Sequence, residues 1–200
     1  LFQNNWEASV NHAVFRDVSV QAGFTLDGFG HGATIADINL DGWKDIYVSN
    51  DFLSENILFV NNHDGTFTNH SKDYFKHTSF NSMGQDIIDI NNDGLADVVE
   101  LDMNPEDNYR QKTLRGPDDF DKYQMLISNG YYHQNMRNML QLNIGIQPNG
   151  NPVYSEIGQL AGISNTDWSW APLFADFDND GWKDLYITNG VFKDLTDLDF

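Results

Sequence analysis

Asp37, Asn39, Asp41 and Asp45 fall within nine positions of one another around Gly42, in the stretch ADINLDGWKDIYVSN. Like charges at that spacing repel, so the stretch needs a positive partner. In the pattern D-x-[DN]-x-D-G-x-x-D, alternate side chains turn their oxygens toward one point, and glycine permits the bend that wraps the chain around it. Hard carboxylate and amide oxygens suit Ca²⁺, which takes about six to eight ligands in flexible geometry, whereas Mg²⁺ prefers a stricter octahedron and keeps its waters. The first loop offers the side chains of Asp37, Asn39, Asp41 and Asp45 and the carbonyl of Trp43. A second, in IDINNDGLADVVELD, offers Asp89, Asn91, Asp93 and Asp97 with the Leu95 carbonyl. The third, in ADFDNDGWKDLYITN, offers Asp176, Asp178, Asp180 and Asp184 with the Trp182 carbonyl. Three Ca²⁺ sites are expected.

Two other readings compete. Asn-Asp-Gly clusters are good turn formers, but a turn does not require the Asp that all three loops keep at position nine. The EF-hand loop ends in a bidentate Glu at position twelve. Glu100 stands there in the second loop, while the first and third have Val48 and Ile187 in strand-like surroundings.

The 200 residues, with 40% hydrophobic content, suffice for a real core, as one domain or as part of a larger protein. A formal net charge of -19 argues against nucleic-acid backbones and anionic membrane surfaces, which are bound through Lys and Arg. The absence of cysteine removes disulfides, thiol catalysis and Cys-based zinc or iron-sulfur sites. No apolar run reaches the length of a membrane span, and no signal peptide is visible.

The positions of the loops betray a repeat. Phe15 precedes Asp37 by 22 residues, as Phe67 precedes Asp89 and Tyr154 precedes Asp176. Leu1, Leu58 and Leu140 each stand three residues before an Asn, at Asn4, Asn61 and Asn143, and Ala22-Gly23 and Ala161-Gly162 recur upstream of the first and third loops. Each unit reads as four short strands. ATIADI and KDIYVSN flank the first loop, and NILFV and TFTNHS are joined by a turn containing Asp64-Gly65. Four-stranded units of roughly 50 residues suit the blades of a propeller. The expected fold is therefore all-β, a β-propeller segment of two whole and two half blades. Its parts are the end of a preceding blade (1–24), a blade with the first loop (25–75), a blade with the second loop (76–162) and the start of a blade with the third (163–200). The second whole blade carries a partly helical insertion at about 103–136, with helix expected around Asp119 to Ser128. The segment is expected to be interior to a longer protein.

FGHGATIADINLDGWKDIYVSND resembles the FG-GAP or VCBS repeat of integrin-α-like calcium-binding β-propellers, with Phe29-Gly30, then Gly32-Ala33, then the acidic loop. LFVNNHDGTF, RNMLQLN and DWSWAPLFADFDNDGWKDLYITNG look like the same family, especially large bacterial surface proteins similar to cartilage acidic protein, of the ASPIC/UnbV type. The second unit reads FNSMGQDIIDI and the third WSWAPLFADF, so the named dipeptides hold in the first unit alone. The resemblance implies a secreted or cell-surface propeller, extracellular and in some relatives anchored to the outer membrane. It implies one calcium between the first two strands of a blade, with a protein or glycan ligand or an outer-membrane assembly as partner.

Arg110, Lys112, Arg115, Lys122 and Arg137, with Tyr109, Tyr123, Tyr131, Tyr132 and His133, lie in or beside the insertion. They read as a helical decoration packed on the blade rim, with a polar-aromatic recognition surface as the alternative. Trp168 and Trp170 are expected to be buried between blades. His63, His70 and His77 recur every seven residues but cross a hairpin and a loop, which argues against a shared metal. No G-x-S-x-G, H-E-x-x-H or P-loop is present. The expectation is a calcium-binding module for adhesion, ligand binding or scaffolding, not an enzyme. The alternative is the frame of a propeller enzyme acting on polysaccharide, with its catalytic residues elsewhere.

Overall fold

A computed structural model describes residues 1–114, 120–191, 194 and 197. Arg115 and Asp119, singled out above, lie outside the described residues. Strands dominate. β1 (Phe2–Glu7) and β2 (His12–Asp17) form a hairpin. β3 (Phe29–Ala36), β4 (Asp45–Asp51), β5 (Ile57–Asn61) and β6 (Phe67–Asn69) follow as an antiparallel sheet in chain order. After a helical turn, α1 (Ser71–Tyr74), come β7 (Thr78–Ser79), β8 (Gly84–Ile88) and β9 (Asp97–Leu101). The chain continues through β10 (Met103–Asn104), α2 (Asn108–Thr113), α3 (Phe120–Ser128) and β11 (Gln134–Asn135). It ends in β12 (Met139–Ile146), β13 (Pro152–Glu156), β14 (Asp167–Ala175) and β15 (Asp184–Asn189).

The second sheet runs β8-β9-β12-β13, again antiparallel, and β14 pairs with β15 to begin a third. None of these sheets closes on itself among the described residues. Between β9 and β12 lies the helical material, which is stitched to its neighbours: β10 pairs with β14, and β11 runs parallel to β7.

Central strands β4 and β9 are covered on both faces, so their polar residues, Asp45, Ser49, Asn50, Asp97 and Glu100 among them, are buried as fully as their apolar ones. Successive side chains of β9 point to opposite faces. Val98 joins Ile38, Tyr47, Leu58, Val60, Phe75 and Tyr154 in a core between the first and second sheets. Val99 joins Leu101 and Leu140, against which Ile90, Phe174 and Ile187 pack, between the second and third. Each such side chain contributes about 1.5 to 3 kcal/mol by leaving water.

The first strands of the sheets lie side by side, β3 against β8 and β8 against β14. Glycine makes this approach feasible. A Cβ at Gly32 would come within 2.8 Å of Gln85 Oε1 on β8, and one at Gly84 within 2.3 Å of the Trp170 carbonyl on β14. Gly84 occupies, five residues before Asp89, the place that Gly32 holds before Asp37. The second unit thus keeps the glycine while losing the dipeptides around it.

The expectation of burial fails for Trp170, which is 41% exposed with its indole over Gly190. Trp168 is half-buried.

Candidate metal centre

The three acidic loops join β3 to β4, β8 to β9 and β14 to β15, so each closes a strand pair at the same end of its sheet. Their internal frames agree bond for bond. Position five donates its N–H to the first-position carboxylate: Asp41 to Asp37 Oδ1 at 3.1 Å, Asp93 to Asp89 at 3.1 Å, Asp180 to Asp176 at 3.0 Å. The glycine at position six donates to the other oxygen of the same carboxylate, at 2.9, 2.8 and 3.0 Å. Position seven, Trp43, Leu95 or Trp182, donates to the position-five carboxylate at 2.8 Å. Positions four and six take left-handed backbone in every loop: Leu40, Asn92 and Asn179 at φ 59°, 60° and 62°, and the glycines at 85° to 94°. Asp and Asn accept that conformation readily and glycine freely.

The ninth-position Asp is where the loops part. Asp45 is fully buried, accepting from Ile38 N–H at 2.9 Å on Oδ2 and from Asn61 N–H at 2.9 Å on Oδ1. Asp97 is likewise buried, held by Ile90 N–H at 3.0 Å and Asn143 N–H at 2.8 Å. Asp184 is exposed, with Phe177 N–H at 3.0 Å as its backbone donor. The recurring Asn of the Leu-x-x-Asn marker therefore sits on the third strand and orients the loop's last carboxylate. The contact is made by the backbone N–H, while the Asn side chains accept from His63 N–H at 2.9 Å and Gly145 N–H at 3.1 Å.

Burial pushes the carboxyls of Asp45 and Asp97 above the ordinary range. That burial outweighs the donated N–H groups, and repulsion from Asp41 and Asp37, or from Asp93 and Asp89, adds to it. Burial also works against ionised Asp41, but hydrogen bonds from His63, Trp43 and Asn39 hold its carboxyl below the usual range. No Lys or Arg pairs with a loop carboxylate among the described residues.

Oxygens from Asp176, Asp178 and Asp184 lie within 4.8 Å of one another, close enough to share one ion. Asp180 stands outside that triple, its carboxylate turned to Trp182 N–H. In the first and second loops Asn replaces Asp at position three and donates from its amide to position five, Asn39 to Asp41 at 2.8 Å and Asn91 to Asp93 at 3.0 Å. Crowded, like-charged oxygens without a Lys or Arg partner fit a hard divalent cation.

Glu100 does not belong to this site. It is fully buried on β9, where Tyr47 donates its hydroxyl to Oε1 and Ser79 its N–H to Oε2 at 2.8 Å. Together with the strands that flank each loop, this removes the EF-hand reading.

The other singled-out residues are occupied within the chain. His63 stacks on Trp43 and bonds Asp41 Oδ2 at 2.8 Å, His70 meets Asp73, and His77 meets Glu156, so the three histidines have separate partners. Arg110 clamps Asp167 and Asp194, Arg137 pairs with Glu156 at 2.7 Å, and Lys122 lies over the Phe80 ring. Tyr123 bonds His133, and Tyr132 donates to the Phe75 carbonyl at 2.8 Å. Tyr109 is exposed.

A feature not read from the sequence lies beyond the opposite end of the first sheet. A cleft of about 310 Å³ is lined by Leu26, Asp27, Glu55, Lys72 and Tyr131, with Lys72 and Glu55 paired at 3.1 Å.

Residues 37–100, which hold the first two loops, match the FG-GAP-like repeat. The chain is also 25% identical over 206 residues to cartilage acidic protein 1 of Mus musculus, an alignment covering 88% of this chain and 31% of that protein. The chain spans about a third of the length of this curated relative.

Proposed function

We propose that the chain is a calcium-binding β-propeller module of a secreted or cell-surface protein, one Ca²⁺ in each acidic loop. The observation that carries this reading is the single hydrogen-bond frame shared by three loops on three successive sheets. Asp37, Asn39, Asp41 and Asp45, with their counterparts in the second and third loops, would hold the ions, together with the carbonyls of Trp43, Leu95 and Trp182. Bound calcium supplies charge neutralisation and a cross-link between the first two strands of each sheet. Calcium sites of extracellular modules have dissociation constants of about 10⁻⁴ to 10⁻³ M, suited to calcium outside cells. The module serves adhesion or ligand binding, or acts as a scaffold in a surface assembly, and is not itself an enzyme. Its partner is a protein or glycan.

A calcium titration of the intact protein, with magnesium as control, tests this. Saturation with three Ca²⁺ is expected, with a melting temperature that falls on chelation. Each site occupied at about ten times its dissociation constant contributes about 1.4 kcal/mol. No uptake at millimolar calcium would reduce the loops to turns.

A further inference from the structure

The second and third loops touch through Asn92, at position four of the second. Its Nδ2 donates to the carbonyl of Gly181, position six of the third, at 2.9 Å. Gly181 in turn donates its N–H to Asp176 Oδ2 and directly precedes Trp182, whose carbonyl is an assigned ligand. Two more contacts brace the junction. Phe174 N–H donates to Asp86 Oδ2 at 3.0 Å, just upstream of both loops. Ile90 packs in the same apolar cluster as Phe174 and Ile187 while its N–H holds Asp97. In the first loop position four is Leu40, which has no side-chain donor, and no hydrogen bond joins residues 37–45 to residues 89–97 among the described residues.

We infer that Asn92 couples ion binding in the second and third loops, so that an ion in either one raises the affinity of the other. The inference rests on the calcium reading above. Two bound cations repel each other across the junction, so a gain in affinity comes through the backbone. Through Asn92 an ion in one loop steadies the chain on which the other loop's ligands are mounted, and the ordering left for the second ion is smaller. Coupling of this kind is reciprocal. Asn92 is a positioning residue here and touches no ion.

Terbium in place of calcium gives a local readout, because a nearby tryptophan sensitises its luminescence. Trp182 reports the third loop, and a Trp43→Phe background silences the first. In the intact protein with that background, a sigmoidal titration is expected. Asn92→Gly keeps the left-handed backbone and removes the donor. It should weaken the third loop about threefold and make the curve hyperbolic. Asp89→Ala, which disables the second loop, should shift the third in the same direction. An affinity of the third loop that neither substitution moves would overturn the coupling. Counting bound calcium per chain separates that result from a failure of the calcium reading, in which no loop takes up metal and the coupling falls with it.

Discussion

The first and third acidic loops share a frame but differ in what stands behind them. In the first, β5 runs alongside and Asn61 N–H reaches Asp45, so the ninth carboxylate is sealed from water. In the third, Asp184 is exposed and its oxygens gather with those of Asp176 and Asp178. Local sequence thus decides the loop's turn geometry, whereas the neighbouring strand decides whether its last charge is part of the core. The same Asp is a buried acceptor where a third strand lies beside it and an exposed carboxylate where none does among the described residues.

The sharpest way to break the comparison is to remove that Asp in both places under chelating conditions. Asp45→Ala strands two buried N–H donors and should cost about 3 kcal/mol in chemical denaturation. Asp184→Ala should cost less than about 1 kcal/mol in the same assay, because its surroundings are wet. Equal losses would mean that the third strand does not matter to the loop.

A smaller effect separates the buried acids by their role. Burial raises the Glu100 carboxyl to about 7, against the hydrogen bonds from Tyr47 and Ser79. The folded protein therefore holds a proton that the unfolded chain releases near 4.5. The stability that this proton contributes is complete below about 4.5 and is lost as pH rises through about 7. Glu100→Gln should flatten that decline when urea midpoints are compared across the window without calcium. An unchanged slope would place the titration elsewhere.

The smallest effect concerns the tether between the helical excursion and the third sheet. Arg110 binds Asp167 and Asp194 at a partly exposed site, and its guanidinium is held firmly protonated by them. Arg110→Ala should cost about 1 kcal/mol in chemical denaturation, shrinking as salt is raised. A loss that salt does not alter would point to packing by the side-chain stem instead.

Much of this organisation was legible beforehand, for identifiable reasons. The acidic loops follow a fixed spacing because the hydrogen bonds that shape their turns run between near neighbours, from position one to position nine. The mostly β character showed in β-branched and aromatic runs such as KDIYVSN. What stayed hidden depends on partners far along the chain. Glu100 stands where an EF-hand would place a ligand, yet Tyr47, 53 residues away, claims it. Asn92 carries no signal of its own, because its partner Gly181 lies 89 residues on. Gly84 carried a signal that a search for the Phe-Gly dipeptide passes over, since the feature retained is the absence of a side chain at one offset.

That glycine bears on how such repeats diverge. Where Gly84 meets the Trp170 carbonyl, the two sheets touch main chain to main chain, so their separation there is fixed by the thickness of the polypeptide itself. Side chains elsewhere in a unit can then drift in size and chemistry without altering the pitch at which one sheet follows the next. The first unit makes its approach against the Gln85 side chain and the third has Ala171 at the same offset, so it is the contact of the second sheet with the third that needs this position bare.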